Sequence, residues 1–439
     1  MLNNQEIKKI TQELKNNVPN FKSENEAINA LKSDFYIINS LLDNDLYKFT
    51  MQQYAFHNQK NKNVKYRFKC RNNINLSHLK EIVEHQIKHY CDLQFTKEEI
   101  NYLRTKDFFE DDYINYLENF KMDYNNVFID IKEGQLSIEM YGKWEKTILM
   151  EVPFLAIVNG VYSIIEATKD QGLHSHIDIG VNKLLSKIEK INQSDTEINF
   201  VEFGVRRRFL NYEYQKLLNT ILKENCNSYN GASNVLLGKE LDIPVVGTMA
   251  HEYLQAAQAI STPESSQKFA FYEWLKEYKG KLAIALSDIF GNEAFFADFN
   301  KELAEIYDGL RQDSGDPIEW GEQAINFYQS YGIDPRTKKL MFSDGLNVDL
   351  MIQIAKHFEG QTQVSFGIGT NITNDVNLNT LSIVIKITKF EGKDVAKVSE
   401  NIAKSMSESK EYLDNLLKII EVKVNNYRLR KKVIDKEII

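Results

Sequence analysis

The middle of the chain is built from short apolar runs separated by helical stretches, and this alternation limits the fold more than any other feature. EINFVEFG, IPVVGTMA, LAIALSD, KKLMFSDG and QVSFGIG are the clearest runs, with weaker segments near Asn227 and Ile306. Roughly seven strands, about 20 to 40 residues apart, are what a parallel α/β barrel or a doubly wound sheet requires. In both architectures the site lies at the C-terminal ends of the strands. The polar and glycine-rich clusters FGVRRR, YNGASN, GTMAHE, SDIFGNE, GLRQDSGDP, FSDGLN and FGIGTN each follow a run, so they are expected to converge on one mouth.

The flanks follow another pattern. VFIDIKEGQLSIEMYG alternates around Glu133-Gly134, and LSIVIKITKF and DVAKVSE flank Glu391-Gly392. These are hairpin signals at both ends of the chain, and the two could meet in one discontinuous domain. Ile82, Val83 and Ile87 mark an amphipathic helix from Lys80 to Tyr90, with further helix to about Phe120. Ile7, Ile10, Leu14 and Val18 recur at helical spacing, which makes residues 1–32 a helical appendage.

With 439 residues, 43% hydrophobic and 26% charged, the chain can bury a barrel core and a companion domain, and disorder throughout is excluded. Lys and Arg total 54 against 62 for Asp and Glu, a net charge of −8. Nucleic acid and anionic membranes are therefore not expected partners, and any anionic substrate needs a local basic pocket. Cys70, Cys91 and Cys226 are too few and too scattered for a disulfide framework or a Cys-x-x-Cys metal site. No apolar leader and no run approaching about 18 apolar residues is present, so a reducing cytoplasm is the expected compartment.

Several clusters carry chemistry. Arg206, Arg207 and Arg208 follow a strand, where a guanidinium suits bidentate binding of phosphate or carboxylate, and one of the three is expected to face the site. Gly367, Gly369 and Thr370 let backbone N–H groups approach a phosphate, and Ser343-Asp344-Gly345 repeats that logic one strand earlier. Arg311, Asp313, Ser314 and Asp316 share a turn suited to sugar hydroxyls, a divalent cation and an anion. His251 opens the helical EYLQAAQA. The residues after it exclude His-Glu-x-x-His, leaving a candidate nucleophile or acid/base. His85 and His89 read as a solvated helix face, His174 and His176 as structural, and Cys226 as a small buried hydrophobe.

LLDNDLYKFTMQQYAFH, YRFKCR, EVPFLAIV, FGVRRRF, GASNVLLG, GTMAHEYLQA, RQDSGDPIEWGEQAI, FSDGLN and SFGIGTNIT, in this order, resemble nicotinate phosphoribosyltransferase of the bacterial and fungal branch from about Ser33 to Ser399. The resemblance implies an α/β fold: an irregular barrel over 161–375 and an α+β domain over 33–160 completed by 376–439, behind the 1–32 extension. It implies synthesis of nicotinate mononucleotide from nicotinate and 5-phosphoribosyl 1-pyrophosphate, driven by ATP with Mg²⁺, as the first step of NAD salvage from nicotinate.

Under this resemblance His251 is the phosphorylated histidine. Tyr47, Phe203, Arg206, Ser233, Thr248 and Arg311 face nicotinate. Arg207, Asp313, Ser314, Asp344, Gly345, Gly367, Gly369 and Thr370 face the phosphoribosyl group. Tyr47 is implied to come from the partner subunit of a homodimer with shared sites, and no metal ligands are assigned. Val205 and Met249 depart from the family's FGTRRR and from its polar residue before the histidine. Ser233 stands where the nicotinamide-specific relatives carry an acid, which would repel a carboxylate.

Overall fold

The computed structural model describes residues 1–398 and 406–437. Its strands, in chain order, are β1 (Asn63–Cys70), β2 (Val127–Lys132), β3 (Gln135–Lys143), β4 (Phe200–Glu202), β5 (Tyr229–Ala232), β6 (Ile284–Leu286), β7 (Gly309–Gln312), β8 (Lys339–Phe342), β9 (Gln363–Ile368), β10 (Ile383–Phe390) and β11 (Lys393–Asp394). Each strand from β4 to β9 coincides with one of the apolar runs or weaker segments read from the sequence.

β4 to β9 pair in parallel in the order β5-β4-β9-β8-β7-β6, with Phe200 opposite Phe366 and Leu310 opposite Leu340. This is the cyclic sequence order of a barrel with one gap, between β5 and β6. The IPVVGTMA run lies in that gap without forming a regular strand. Val246 N–H donates to Ala232 O at 2.9 Å on one side, and Thr248 Oγ1 donates to Ile284 O at 3.2 Å on the other. The seam requires Gly231, because a Cβ there would stand 2.1 Å from Pro244 O and the backbone has φ +118°. The sheet is therefore an irregular ring of six strands and one irregular segment.

The second sheet is antiparallel, in the order β11-β10-β1-β3-β2. β10 pairs with β1 across more than 300 residues of sequence, Arg67 opposite Lys386, which joins the two ends of the chain in one domain. Both Glu-Gly turns hold φ positive at both residues (51° and 74° at Glu133-Gly134, 48° and 78° at Glu391-Gly392), the geometry that two-residue hairpins require.

The helices divide by burial. Glu151–Lys169 is long and apolar enough by composition to cross a membrane, yet it is buried between the two sheets' layers, with only Glu166, Thr168 and Lys169 not fully covered. Residues 1–32 do not fray: Ile7, Leu14, Val18 and Phe21 are buried, Asn3 forms a capping box with Glu6, and Lys15 meets Asp178 at 2.5 Å. The helix Lys410–Glu437, assigned to the companion domain on sequence grounds, instead packs on Asn292–Asp298 beside the ring. Lys423–Asp298, Arg428–Glu293 and the stacked rings of Phe296 and Tyr427 hold it there.

A buried ionic hub joins the layers. Lys48, on the helix Leu46–Asn58, pairs with both Glu151 and Glu252, and Glu252 also accepts from the Tyr66 hydroxyl and from Trp144 Nε1 at 2.6 Å. Burial opposes the Lys48 charge, but the two carboxylates outweigh it and hold the ammonium above its ordinary value. Removing one partner of such a pair leaves charge uncompensated at a cost of about 3–5 kcal/mol. Lys48→Met is expected to lose that much in urea unfolding at pH 7. A loss under about 1 kcal/mol would show that the hub does not carry the interface.

Candidate active site

The turn after β4 is shaped from below. Glu202 is buried and accepts from Gly204 N–H, from Gln215 Nε2 at 2.6 Å and from Asn219 Nδ2 at 3.2 Å; burial pushes its carboxyl up to about 7. The carboxylate thus ties the start of FGVRRR to the helix Tyr212–Asn225. Arg208 turns inward, fully buried in a bidentate pair with Asp43 at 2.5 and 2.6 Å. Arg206 and Arg207 turn the other way and line a cavity of about 1130 Å³ at the C-terminal strand ends. Two of the arginines face the site, not one.

Phe203 lies on the cavity floor. It fits because residue 367 is glycine: a Cβ there would stand 2.4 Å from the Phe203 ring. The Arg311 guanidinium is 5.7 Å from the ring centre and its Nε donates to Ser343 Oγ at 3.0 Å, while Tyr47 lines the same cavity. Among the described residues, six cationic side chains (Arg71, Arg206, Arg207, Arg311, Lys386 and Lys397) share the lining with three carboxylates (Asp313, Asp344 and Asp375). A net basic interior in an acidic chain is the local pocket that the charge balance called for. Burial, with Arg206 and Arg71 nearby, pushes Arg207 down to about 10, and burial together with Lys397 pushes Lys386 down to about 7.

His251 is the first residue of the helix His251–Ile260 and is buried. Its Nε2 lies 2.7 Å from Asp288 Oδ1 and 2.8 Å from Lys397 Nζ, and Lys397 Nζ also donates to Asp288 Oδ2 at 2.6 Å. Burial outweighs the attraction of Asp288 and lowers the imidazole to about 4, so the ring is neutral near pH 7. Burial would raise Asp288, but His251 and Lys397 together hold it well below the usual carboxylate range. Ser314 Oγ donates to Asp288 Oδ2 at 2.9 Å.

His251, Asp288 and Asp313 each bring a ligand atom within 4.8 Å of the others, which is metal-site spacing. The Lys397 ammonium already supplies the cation there, and an imidazole-containing trio is a poor donor set for Mg²⁺, which takes oxygen ligands. A resident magnesium does not fit these residues.

The model of the "Nicotinate phosphoribosyltransferase (NAPRTase) family" matches residues 198–423, and that of its N-terminal domain matches 42–159. A nicotinate phosphoribosyltransferase of Ralstonia nicotianae is 39% identical over 394 residues, spanning 88% of this chain and 100% of its own length. One from Bordetella pertussis is 40% identical, spanning 88% and 96%. The chain belongs to the nicotinate phosphoribosyltransferase family. Crystal structures of nicotinate phosphoribosyltransferases from Vibrio cholerae (TM-score 0.83, 32% identity, 91% of this chain and 99% of that one) and Porphyromonas gingivalis (0.79, 30%, 89% and 100%) share the fold.

Most of the residues implied by the family resemblance meet in the one cavity: Tyr47, Phe203, Arg206, Arg207, His251 and Arg311, together with Asp313, Ser314, Asp344, Gly345, Gly367, Gly369 and Thr370. Ser233 does not. It is buried and donates to Asp45 Oδ1 at 2.5 Å, a carboxyl that burial raises and Arg206 opposes. Thr248 serves the ring seam and lines a second cavity of about 640 Å³, which also touches Phe203 and Arg311.

The helix bearing Tyr47 docks on its own chain through Leu46 N–H to Ser233 O at 2.8 Å, and Tyr47 reaches its own chain's cavity. Of the remaining histidines, His89 stacks on Tyr36, and His174 and His176 bind the carbonyls of Val18 and Val376.

Sequence reasoning did not single out Arg71, Asp288, Lys386 or Lys397. Lys386 had a visible signal, a lone lysine within the apolar alternation IVIKI, on the same strand face as the cavity-lining Val384. Lys397 had none, since a lysine in a hairpin arm ordinarily faces water.

Two outcomes follow from this geometry. A histidine with a depressed folded value takes up its proton first in the unfolded chain, so stability is present above about 6.5 and falls as pH drops toward 4. His251→Gln removes that term: between pH 7 and 5 the wild type should lose about 2 kcal/mol more than the variant in urea unfolding. Parallel profiles would show that His251 is not held neutral. Mixing inactive Tyr47→Ala with inactive Arg311→Ala should restore nothing, because both side chains serve one chain's cavity. Sites shared across a two-fold would recover about a quarter of the activity.

Proposed function

We propose that this cavity joins nicotinate to the ribose C1 of 5-phosphoribosyl 1-pyrophosphate, releasing pyrophosphate, and that ATP drives the reaction through phosphorylation of His251. The observation that carries the reading is the combination, in a chain of this family, of a net cationic cavity, aromatic rings on its wall, and a neutral buried histidine beside them.

Displacing pyrophosphate develops oxocarbenium character at C1, so the site must hold both phosphoryl ends and position the pyridine nitrogen. Arg207 and the backbone around Gly369 and Thr370 are suited to the 5-phosphate, and Asp313 and Ser314 to the ribose hydroxyls. The aromatic faces of Phe203 and Tyr47 suit a flat pyridine and favour the cation that forms on its nitrogen. Arg206 and Arg311 suit the carboxylate. The ring nitrogen brings its own lone pair, so no protein base is needed. Magnesium arrives with the polyphosphate substrates rather than from a protein site. ATP coupling works by giving the phosphorylated and free enzyme different affinities for substrates and products.

The test is to incubate the enzyme with 5-phosphoribosyl 1-pyrophosphate and Mg²⁺ and either nicotinate, nicotinamide or quinolinate, with and without ATP, and to identify the nucleotide formed. Nicotinate mononucleotide is expected, with ATP raising its yield. His251→Ala should lose ATP hydrolysis and phosphoenzyme yet retain slow synthesis without ATP, since the substrate groups remain. Full ATP stimulation in that variant would overturn the assignment of His251.

A further inference from the structure

Two neighbours make incompatible demands on His251 Nε2. Asp288 Oδ1, 2.7 Å away, can only accept, so that contact needs a proton on Nε2. The Lys397 ammonium, 2.8 Å away, can only donate, so it needs the Nε2 lone pair. One ring nitrogen cannot satisfy both. The imidazole is neutral and carries a single ring proton. If Nε2 satisfies Lys397, that proton is on Nδ1 and the Nε2 lone pair is taken, so neither nitrogen offers a free lone pair. With Lys397 withdrawn, Asp288 draws the proton to Nε2 and the Nδ1 lone pair is released.

We infer that Lys397 gates the nucleophilicity of His251: its ammonium masks the imidazole in the empty site and unmasks it when a bound polyphosphate draws the ammonium away. The inference rests on the phosphohistidine reading for its purpose but on the contacts alone for its geometry.

The backbone around Lys397 is fixed. Val395 N–H donates to Thr388 O at 3.0 Å, Ala396 N–H to Gln258 Oε1 at 3.0 Å, and Val398 N–H to Ile289 O at 3.0 Å. The motion is therefore a swing of the side chain alone. Lys397 lines the same cavity as Lys386, and the two charges oppose one another, which favours the departure of either toward an anion. The change of tautomer is balanced: Nδ1 gives its proton to water, Nε2 takes one from water, and the ring stays neutral throughout. The arrangement withholds the nucleophile from water and small electrophiles until a polyphosphate is in place.

Lys397 acts through His251 and is a positioning residue, so the test reads the histidine. The protein is labelled with ¹⁵N at both histidine ring nitrogens, and the His251 signals among the eight histidines are assigned by their loss in His251→Asn. In the substrate-free wild type Nδ1 should carry the proton and Nε2 should be unprotonated. In Lys397→Met the two should exchange character, and magnesium tripolyphosphate should produce the same exchange in the wild type.

Diethyl pyrocarbonate, a neutral acylating agent, should modify His251 at least about tenfold faster in Lys397→Met, the rate equivalent of releasing one hydrogen bond. A protonated Nε2 in the substrate-free wild type, or unchanged signals in Lys397→Met, would overturn the gate. If that variant does not fold, the wild type with and without tripolyphosphate decides. If ATP leaves no phosphate on wild-type His251, the phosphohistidine reading fails while the nitrogen signals still judge the gate.

Discussion

The carboxylate of Glu252 is the point from which the rest of the molecule is positioned. It lies one residue beyond His251, in the first turn of that helix, and collects Lys48 from the helix before β1, the Tyr66 hydroxyl from β1 and the Trp144 indole from the residue just after β3. Each donor belongs to the companion domain, whereas Glu252 belongs to the ring. The domain interface and the placement of His251 are therefore one problem with one solution. The arrangement is charged and not merely apolar because a hydrogen-bonded ionic hub fixes direction as well as proximity; apolar packing alone would tolerate sliding of one layer on the other.

The two domains also divide the electrostatics. The ring segment contributes Asp313, Asp344 and Asp375 to the lining, with Asp288 beside it, and Arg206, Arg207 and Arg311, while the antiparallel sheet and its neighbouring segments add Arg71, Lys386 and Lys397. On the ring alone cations and carboxylates nearly balance, so the excess of positive charge comes from the companion domain. An anionic substrate is therefore drawn to the seam between the layers rather than into the ring. A chain of net charge −8 thereby presents a locally basic site.

Much of this was legible in the sequence because strand-end clusters report themselves through period and polarity. The runs at β4 to β9 fell where expected, and Arg206, His251, Arg311 and Gly369 all reached the predicted mouth. IPVVGTMA reads as a strand but serves as a seam, since its partner bonds depend on Pro244 and Gly231 across the gap and not on its own alternation. Ser233 stays outside the cavity for a different reason. Motif identity fixes which residues occur but not that the Ser233 hydroxyl is taken by Asp45. Lys397 and Asp288 are legible only after folding, because their meaning lies in meeting at one nitrogen from segments more than 100 residues apart.

The pairing of β1 with β10 also orders events during synthesis. The ring strands, close in sequence, can assemble while the chain is still being made, whereas β1 must wait more than 300 residues for its neighbour. Until β10 and the segment after it emerge, Asp288 and Asp313 face a half-built cleft with neither Lys386 nor Lys397 beside them. A chain that ends before residue 383 lacks Lys386 and Lys397 and leaves unpaired the edge of β1 that β10 covers. Such an edge is a template for pairing with another chain until β10 closes it.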